Sequence, residues 1–416
     1  MRHILPLALI LTATPAQATS PEQTAQAALA AAPVWDGHND VAEQLRDRRR
    51  NMLAGFAFAD TRGTADAAKG VPAMHTDLAR LQTGHVGAQF WSVYVDAGLS
   101  EPQAVQAVLE QIDVMKRLVA QHPAQLQLAT SADEVARAMK AGRVASLLGM
   151  EGGHGIGGSL AVLRQMRALG VRYMTLTHFK NNGWADSGTD APAHGGLTGF
   201  GRDVVREMQR IGMLVDLSHT AHTTQLAALA VARAPVIFSH SGAQAVNPSP
   251  RNVSDPVLDA LRANGGIIMV NTYPSYVSEP LRQRNAARAG EEARQKLLNP
   301  GDPKAVAQAL AIWDKAHPRP PATLAQLADH IDHIRARIGT DHIGIGADFD
   351  GMAMGLDDMP DVSSYPALFT ELARRGYSAQ ELKKISSGNM LRVLRAADVY
   401  AAAHAADPPL ENPTTF

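Results

Sequence analysis

The chain has 416 residues, of which 45% are hydrophobic, and its 39 Lys and Arg residues almost balance its 40 Asp and Glu residues. A formal charge of −1 gives no reason to expect binding to nucleic acid or to an anionic membrane surface. The sequence contains no cysteine, which excludes disulfides and a lipid-modified N-terminal cysteine. The length suffices for one large barrel domain or for two smaller domains.

The N-terminus has the three parts of a secretory signal peptide. Arg2 supplies a positive charge, residues 4–13 form an apolar stretch too short to cross a bilayer, and residues 16–18 are a small-residue cleavage site. We therefore expect residues 1–18 to be removed. The mature protein is then exported, periplasmic or secreted, and carries no membrane anchor.

Eight apolar runs follow in chain order, and most have the length of a strand rather than that of a helix. They lie at residues 34–35, 86–95, 144–148, 173–177, 213–218, 235–239, 266–273 and 343–347. Amphipathic stretches separate the runs, for example at residues 160–169 and 201–210. This alternation predicts a (β/α)8 TIM-like barrel with inserted helices and loops. An open doubly wound sheet is the structural alternative, because strand order is not visible in a sequence.

Two connections between these runs are unusually long. We interpret residues 41–80 and residues 274–325 as insertions, of the kind that shapes a substrate site at the mouth of a barrel. Residues 19–406 are then expected to form a single barrel domain. Residues 407–416, which include three prolines, are expected to form a flexible tail or a surface arm.

Six of the apolar runs end at residues that can bind a metal or act beside one. These residues are His38 with Asp40, Glu151, His178, His219, His240 and Asp348. The carboxyl ends of parallel strands meet at one face of a barrel, so we expect these side chains to converge. Imidazole and carboxylate groups without a thiolate suit zinc or a similar divalent ion. Two ions that share Glu151 would form a known hydrolytic arrangement.

A glycine pattern at residues 153–158 matches the G-x-G-x-x-G fingerprint of dinucleotide-binding folds. The next strand ends at His178 instead of the acidic residue that the fingerprint requires, so we interpret the glycines as a tight turn beside Glu151. His154 lies within this turn and receives no role. A G-x-S-x-G elbow and a cysteine nucleophile are both absent from the sequence, which leaves a metal-bound hydroxide as the best nucleophile.

Short motifs along nearly the whole chain resemble, in the same order, those of the membrane (renal) dipeptidase family of zinc metallopeptidases. They are DGHND (36–40), VGAQFWSVYV (86–95), MEGGH (150–154), LTHFKNN (176–182), DLSH (216–219), SHSGA (239–243), RNVSD (251–255) and GIGADFDG (344–351). The resemblance implies a (β/α)8 barrel with two zinc ions per chain. A homodimer is a further possibility that is similar to the behaviour of the family.

The resemblance also implies a role for each site residue. His38 and Asp40 bind one zinc ion, His219 and His240 bind the other, and Glu151 bridges them. His178 faces the scissile carbonyl, Arg251 clamps the substrate carboxylate, and Asp348 is the acid/base. Tyr273 is a candidate substrate contact.

We therefore predict a zinc-dependent dipeptidase that hydrolyses small dipeptides with a metal-bridging hydroxide. An amidohydrolase acting on N-acyl amino acids or other small amides is the alternative among enzymes. An exported barrel that binds a metal or ligand without turnover is the alternative from another class. At residue level, Asp350 competes with Asp348 for the acid/base role, and a surface salt bridge between Arg251 and Asp255 is the alternative to a carboxylate clamp.

Overall fold

The computed structural model describes residues 19–413, so the predicted signal peptide at residues 1–18 lies outside the described part of the chain. Within this range nine strands form one parallel sheet. The strands are β1 (Val34–Asn39), β2 (Val86–Tyr94), β3 (Leu126–Leu128), β4 (Val144–Glu151), β5 (Val171–Thr175), β6 (Leu214–Asp216), β7 (Ile237–Phe238), β8 (Ile267–Val270) and β9 (Ile343–Ile345).

The sheet closes on itself. Its strand order is β2-β1-β9-β8-β7-β6-β5-β4, and β4 pairs with β2 from Ala88 opposite Ala145 to Tyr94 opposite Glu151. These eight strands are the eight that the apolar runs predicted. The prediction of a (β/α)8 barrel is therefore confirmed, and the open doubly wound sheet is excluded because the eight-stranded ring has no edge strands.

The short strand β3 was not predicted. It pairs with the beginning of β4, on the edge of β4 that β5 occupies farther along. Leu126 lies opposite Val144, whereas the pairing with β5 begins at Leu148. Three residues carry too little apolar pattern to predict a strand, and β3 adds nothing to the ring.

Sixteen α-helices surround the barrel within the described residues. Several begin with a capping box, in which a Ser or Thr and a Gln or Glu three residues later satisfy each other's free backbone N–H groups, as Ser20 and Gln23 do. The helices are α1 (Pro21–Ala31), α2 (Val41–Arg49), α3 (Leu78–Thr83), α4 (Glu101–Gln121), α5 (Ala132–Lys140), α6 (Leu160–Ala168), α7 (Gly199–Arg210), α8 (His222–Val231), α9 (Asp255–Asn264), α10 (Pro274–Val277), α11 (Glu279–Leu298), α12 (Pro303–Ala316), α13 (Leu324–Ile338), α14 (Tyr365–Arg374), α15 (Ala379–Lys383) and α16 (Asn389–Ala403).

Aromatic side chains fill the inside of the barrel. The rings of Phe90 on β2 and Tyr173 on β5 have centroids 4.8 Å apart, although β4 separates the two strands in the sheet. Such a contact is possible only across the interior. Tyr173 lies against Gly149 of β4, where any larger residue would collide with its ring. The glycine in this strand therefore makes room for a phenol below the carboxyl ends of the strands.

The last described residues run along the surface of the barrel. The Leu410 N–H donates to Glu207 on α7, and Asn412 accepts a hydrogen bond from the backbone of Leu160 on α6. Up to Pro413 the segment thus has the form of a surface arm. No helix within residues 19–413 is long and apolar enough to span a membrane.

Candidate metal centre and substrate pocket

The strand-end residues meet at the carboxyl face of the barrel. His38 and Glu151 belong to β1 and β4, Asp40 follows the end of β1, and the other four follow the ends of β5, β6, β7 and β9. All are buried, the most exposed of them at 9%. The structure thus brings together every metal-binding and catalytic candidate, namely His38, Asp40, Glu151, His178, His219, His240 and Asp348.

Glu151 lies at the centre of this cluster. Its Oε2 atom is 3.4 Å from Nε2 of His38, while its Oε1 atom is 3.0 Å from Nε2 of His219 and 3.3 Å from Nε2 of His240. His38 Nε2 is also 3.4 Å from Oδ2 of Asp40. One carboxylate therefore faces imidazoles with each of its two oxygens, which is the geometry that a bridging ligand requires.

The donor atoms form three overlapping groups, each small enough to surround a cation. The groups are His38–Glu151–His240, Glu151–His178–His219 and His38–Asp40–Asp348, and within each group the ligand atoms lie within 4.8 Å of one another. In addition, His38 Nε2 and Asp40 Oδ1 are buried without a hydrogen-bond partner. Buried polar atoms are costly when left unpaired, so an ion at this position fits the residues that are present.

Neighbouring hydroxyl groups orient two of the imidazoles. His38 Nδ1 is 2.7 Å from the Tyr173 hydroxyl, and His240 Nδ1 is 2.8 Å from Oγ of Ser239. The Ser239 hydroxyl in turn donates to Oδ2 of Asp216 at 2.6 Å. Such partners fix the tautomer of a ligating histidine and leave its Nε2 lone pair free for a metal.

Burial and the local charges set the protonation states of the cluster. Burial lowers the pKa of His219 and of His240 well below the usual value, and it lowers the pKa of His178 to about 4. Burial alone would raise the pKa of Glu151, but the charge of His38 and the neighbouring imidazoles of His178, His219 and His240 hold it well below its usual range. The cluster thus offers three neutral imidazoles, those of His178, His219 and His240, around an ionised carboxylate, as metal binding requires.

The pKa values of two residues in and beside the cluster are raised by nearby acidic groups. Despite burial, Tyr173, Glu151 and Asp40 raise the pKa of His38 well above its usual value, so this position attracts a positive charge. For Glu43 on α2, burial and the carboxylates of Asp40 and Asp47 raise the pKa to about 8. A cation bound nearby would favour the ionised form of that carboxyl group.

Asp348 and Asp350 point in different directions. Asp348 lines the pocket above the cluster, whereas Asp350 accepts a hydrogen bond from the His75 N–H at 2.7 Å. In extended backbone, two residues separated by one position would point to the same side. Both residues instead have left-handed backbone, with φ of 70° for Asp348 and 69° for Asp350. Non-glycine residues rarely adopt this conformation, and it is concentrated at functional sites.

Arg251 reaches the same pocket from the loop before α9. It is buried, its Nε and Nη1 atoms have no hydrogen-bond partner, and its guanidinium carbon lies 5.4 Å from the centre of the Tyr276 ring. The alternative interpretation of Arg251, a surface salt bridge with Asp255, is therefore wrong. Asp255 instead lies 2.7 Å from Nε2 of His333.

Aromatic side chains wall the pocket, which has a volume of about 100 Å³. Tyr273, the predicted substrate contact, lines it and stacks on Tyr276 with ring centroids 4.5 Å apart. Four further side chains that the sequence patterns did not predict also line it, namely Glu43, Tyr94, Phe179 and Tyr276. Of these, Tyr94 is the last residue of β2 and could have been found by the rule that identified the other strand-end candidates.

The glycines at residues 153–158 permit a tight backbone turn rather than form a nucleotide-binding loop. Residues 153–156 form one turn of 3-10 helix directly after β4. A side chain at Gly153 would meet the carbonyl oxygen of Leu176 at 2.5 Å. The ring of His154 lies beside the site, with Nε2 3.2 Å from the carbonyl oxygen of Asp96.

A closed parallel barrel with buried imidazoles and carboxylates at the carboxyl ends of its strands is the architecture of a metal-dependent hydrolase. The model of one such family, the membrane dipeptidases (peptidase family M19), matches residues 22–407. The chain belongs to this family of metallopeptidases.

Individual relatives agree with this assignment. Dipeptidase tcpJ of Claviceps purpurea (strain 20.1) is 39% identical over 377 residues, which cover 88% of this chain and 78% of that protein. Dipeptidase 3 of Macaca fascicularis is 39% identical over 392 residues, which cover 93% of this chain and 70% of that protein. The crystal structure of the probable dipeptidase PvdM from Pseudomonas aeruginosa shares the fold, with a TM-score of 0.77 and 24% identity over 92% of this chain and 99% of that chain.

Proposed function

We propose that this protein is an exported, zinc-dependent dipeptidase that hydrolyses the peptide bond of small dipeptides. The observation that carries the proposal is the position of Glu151 between the imidazole of His38 and those of His219 and His240, in a pocket that also contains Arg251, whose Nε and Nη1 atoms have no hydrogen-bond partner within the described residues. A cluster of metal ligands alone would fit many hydrolases. A buried cation beside it adds a reason to bind a substrate with a free carboxylate.

The ligands divide into two sets that share Glu151. His38 and Asp40 would hold one zinc ion, and His219 and His240 would hold the other. Two zinc ions, when bound, polarise the scissile carbonyl and lower the pKa of a water molecule so that it can act as a nucleophile at neutral pH. The absence of cysteine among the ligands and the neutral state of His219 and His240 support zinc.

The remaining residues bind the charged groups of the substrate and transfer protons during the reaction. Arg251 forms a bidentate ion pair with the substrate carboxylate, which restricts cleavage to the peptide bond next to the C-terminus. His178, whose low pKa keeps its imidazole neutral, donates a hydrogen bond to the carbonyl oxygen as negative charge develops there. Asp348 accepts a proton from the attacking water and delivers it to the leaving amine.

A substrate panel tests the proposal against an amidohydrolase. The purified protein should cleave Ala-Ala and Gly-Ala with a higher kcat/KM than N-acetylalanine or alanine amide, and a chelator should abolish all cleavage. Faster turnover of N-acetylalanine would favour the amidohydrolase. Metal binding without turnover of any of these compounds would favour a binding protein.

A further inference from the structure

A second and much larger cavity lies beside the active-site pocket. Its volume is about 830 Å³, and it is formed by α2, by residues within 55–74 and by residues 350–353. Glu43 and Gly351 line both spaces, so the cavity adjoins the pocket directly. The pocket itself, at about 100 Å³, is too small for a bulky substrate side chain.

The expected direction of the substrate leads into this cavity. Arg251 lies on the side of His240, to whose carbonyl oxygen its Nη2 donates at 3.4 Å. Glu43 lies on the side of Asp40. It follows Asp40 by three residues in the chain and belongs to the first turn of α2. A dipeptide whose carboxylate binds Arg251 and whose carbonyl lies at the metal ligands therefore points its N-terminal residue towards Glu43.

Acidic side chains outnumber basic ones around the cavity, and the basic ones are occupied. The acidic residues are Glu43, Asp47, Asp60, Asp66 and Asp350, and the basic residues are Arg48, Arg49 and Lys69. Arg48 donates to the carbonyl oxygen of Pro72, Arg49 donates to that of Met52, and Lys69 pairs with Asp66. None of these cations is directed at Glu43.

Within the described residues, the carboxylate of Glu43 accepts no hydrogen bond. Its nearest cation is Arg46 at 3.6 Å, but that guanidinium donates to Asp47 and to the carbonyl oxygen of Tyr94, both at 2.8 Å. The Glu43 side chain is 23% exposed. An incompletely paired carboxylate thus faces the boundary between the pocket and the cavity.

We infer that this cavity receives the side chain of the substrate's N-terminal residue and that Glu43 selects a cationic side chain, that of lysine or arginine. The inference rests on the proposed dipeptidase activity and names a substrate class for it. A lysyl or arginyl side chain is long enough to leave the pocket, and its charge provides the partner that Glu43 lacks.

The test compares substrates that differ only in charge. For the wild type, kcat/KM should be about tenfold higher for Lys-Ala than for norleucyl-Ala, which has a side chain of similar length without the ammonium group. In Glu43→Gln, the ratio of these two values should fall to near one. In Asp47→Asn, which changes a carboxylate that lines the same cavity but already pairs with Arg46, the ratio should persist.

A second variant tests the location independently of charge. Ala57→Trp adds bulk at an exposed position in the cavity wall, and it should lower kcat/KM for Lys-Ala and for norleucyl-Ala relative to Ala-Ala. The inference is overturned if the wild type shows no preference for Lys-Ala, if Glu43→Gln retains the preference, or if Ala57→Trp affects Ala-Ala as much as the longer substrates. Failure of the wild type to cleave any of the three dipeptides would instead contradict the proposed function.

Discussion

The Tyr173 hydroxyl lies 2.7 Å from Nδ1 of His38, and this contact directs the opposite nitrogen of the imidazole towards Glu151. Tyr173 belongs to β5 and His38 to β1, so the hydrogen bond crosses the inside of the barrel. The ring of Tyr173 can occupy this place because β4 has a glycine, Gly149, beneath it. The packing of the barrel and the orientation of a proposed metal ligand therefore depend on the same side chain.

We expect Tyr173→Phe to weaken metal binding while the fold is retained. The phenylalanine ring still packs on Gly149, but His38 loses the partner that fixes its tautomer. Loss of such an outer partner typically costs about 10–100-fold in metal affinity. Competition with a chromophoric chelator measures the affinity, and circular dichroism controls for folding. An unchanged affinity would show that the hydroxyl does not orient His38.

Asp348→Asn should lower kcat and leave metal content unchanged. The amide keeps the size of the side chain but cannot accept the proton, and general acid–base groups typically contribute about 10²–10⁴-fold. The control is Asp350→Asn, since that carboxylate is directed at the His75 backbone and should contribute far less to kcat. Asp348 also lies close enough to His38 and Asp40 to share a metal ion with them. Loss of metal in Asp348→Asn would therefore identify Asp348 as a ligand.

Arg251→Met should selectively impair substrates with a free carboxylate. Loss of a buried, charge-assisted contact costs on the order of 2–5 kcal/mol, so kcat/KM on Ala-Ala should fall by about 30-fold or more. Alanyl-alanine amide has no carboxylate to lose and should be affected little. Equal losses on both substrates would assign Arg251 a structural role.

Export should remove residues 1–18 and leave Thr19 as the first residue. The reasons are the apolar stretch at residues 4–13 and the small residues at 16–18. The intact mass of protein recovered from the periplasm or the medium measures the cleavage position. A mass that includes residues 1–18 in that fraction would contradict the prediction.

The eight strands and the convergence of their terminal residues could be predicted, because buried parallel strands are short apolar runs and their carboxyl ends share one face. The directions of Asp348 and Asp350 could not, since they depend on left-handed backbone at two non-glycine positions. Glu43 was missed because it lies on the first turn of α2 rather than at a strand end. Tyr276 was missed for a similar reason, as it lies on α10, one turn after Tyr273.

The central claim is that two zinc ions share Glu151, and a zinc titration of the metal-free protein tests it most directly. Activity on Ala-Ala should be absent without metal and should reach its maximum at two equivalents of zinc per chain. Glu151→Gln should bind fewer than two equivalents at the same free zinc concentration, because both ions lose a charged ligand at once. Full activity at one equivalent of zinc, or two tightly bound ions in Glu151→Gln, would contradict the account.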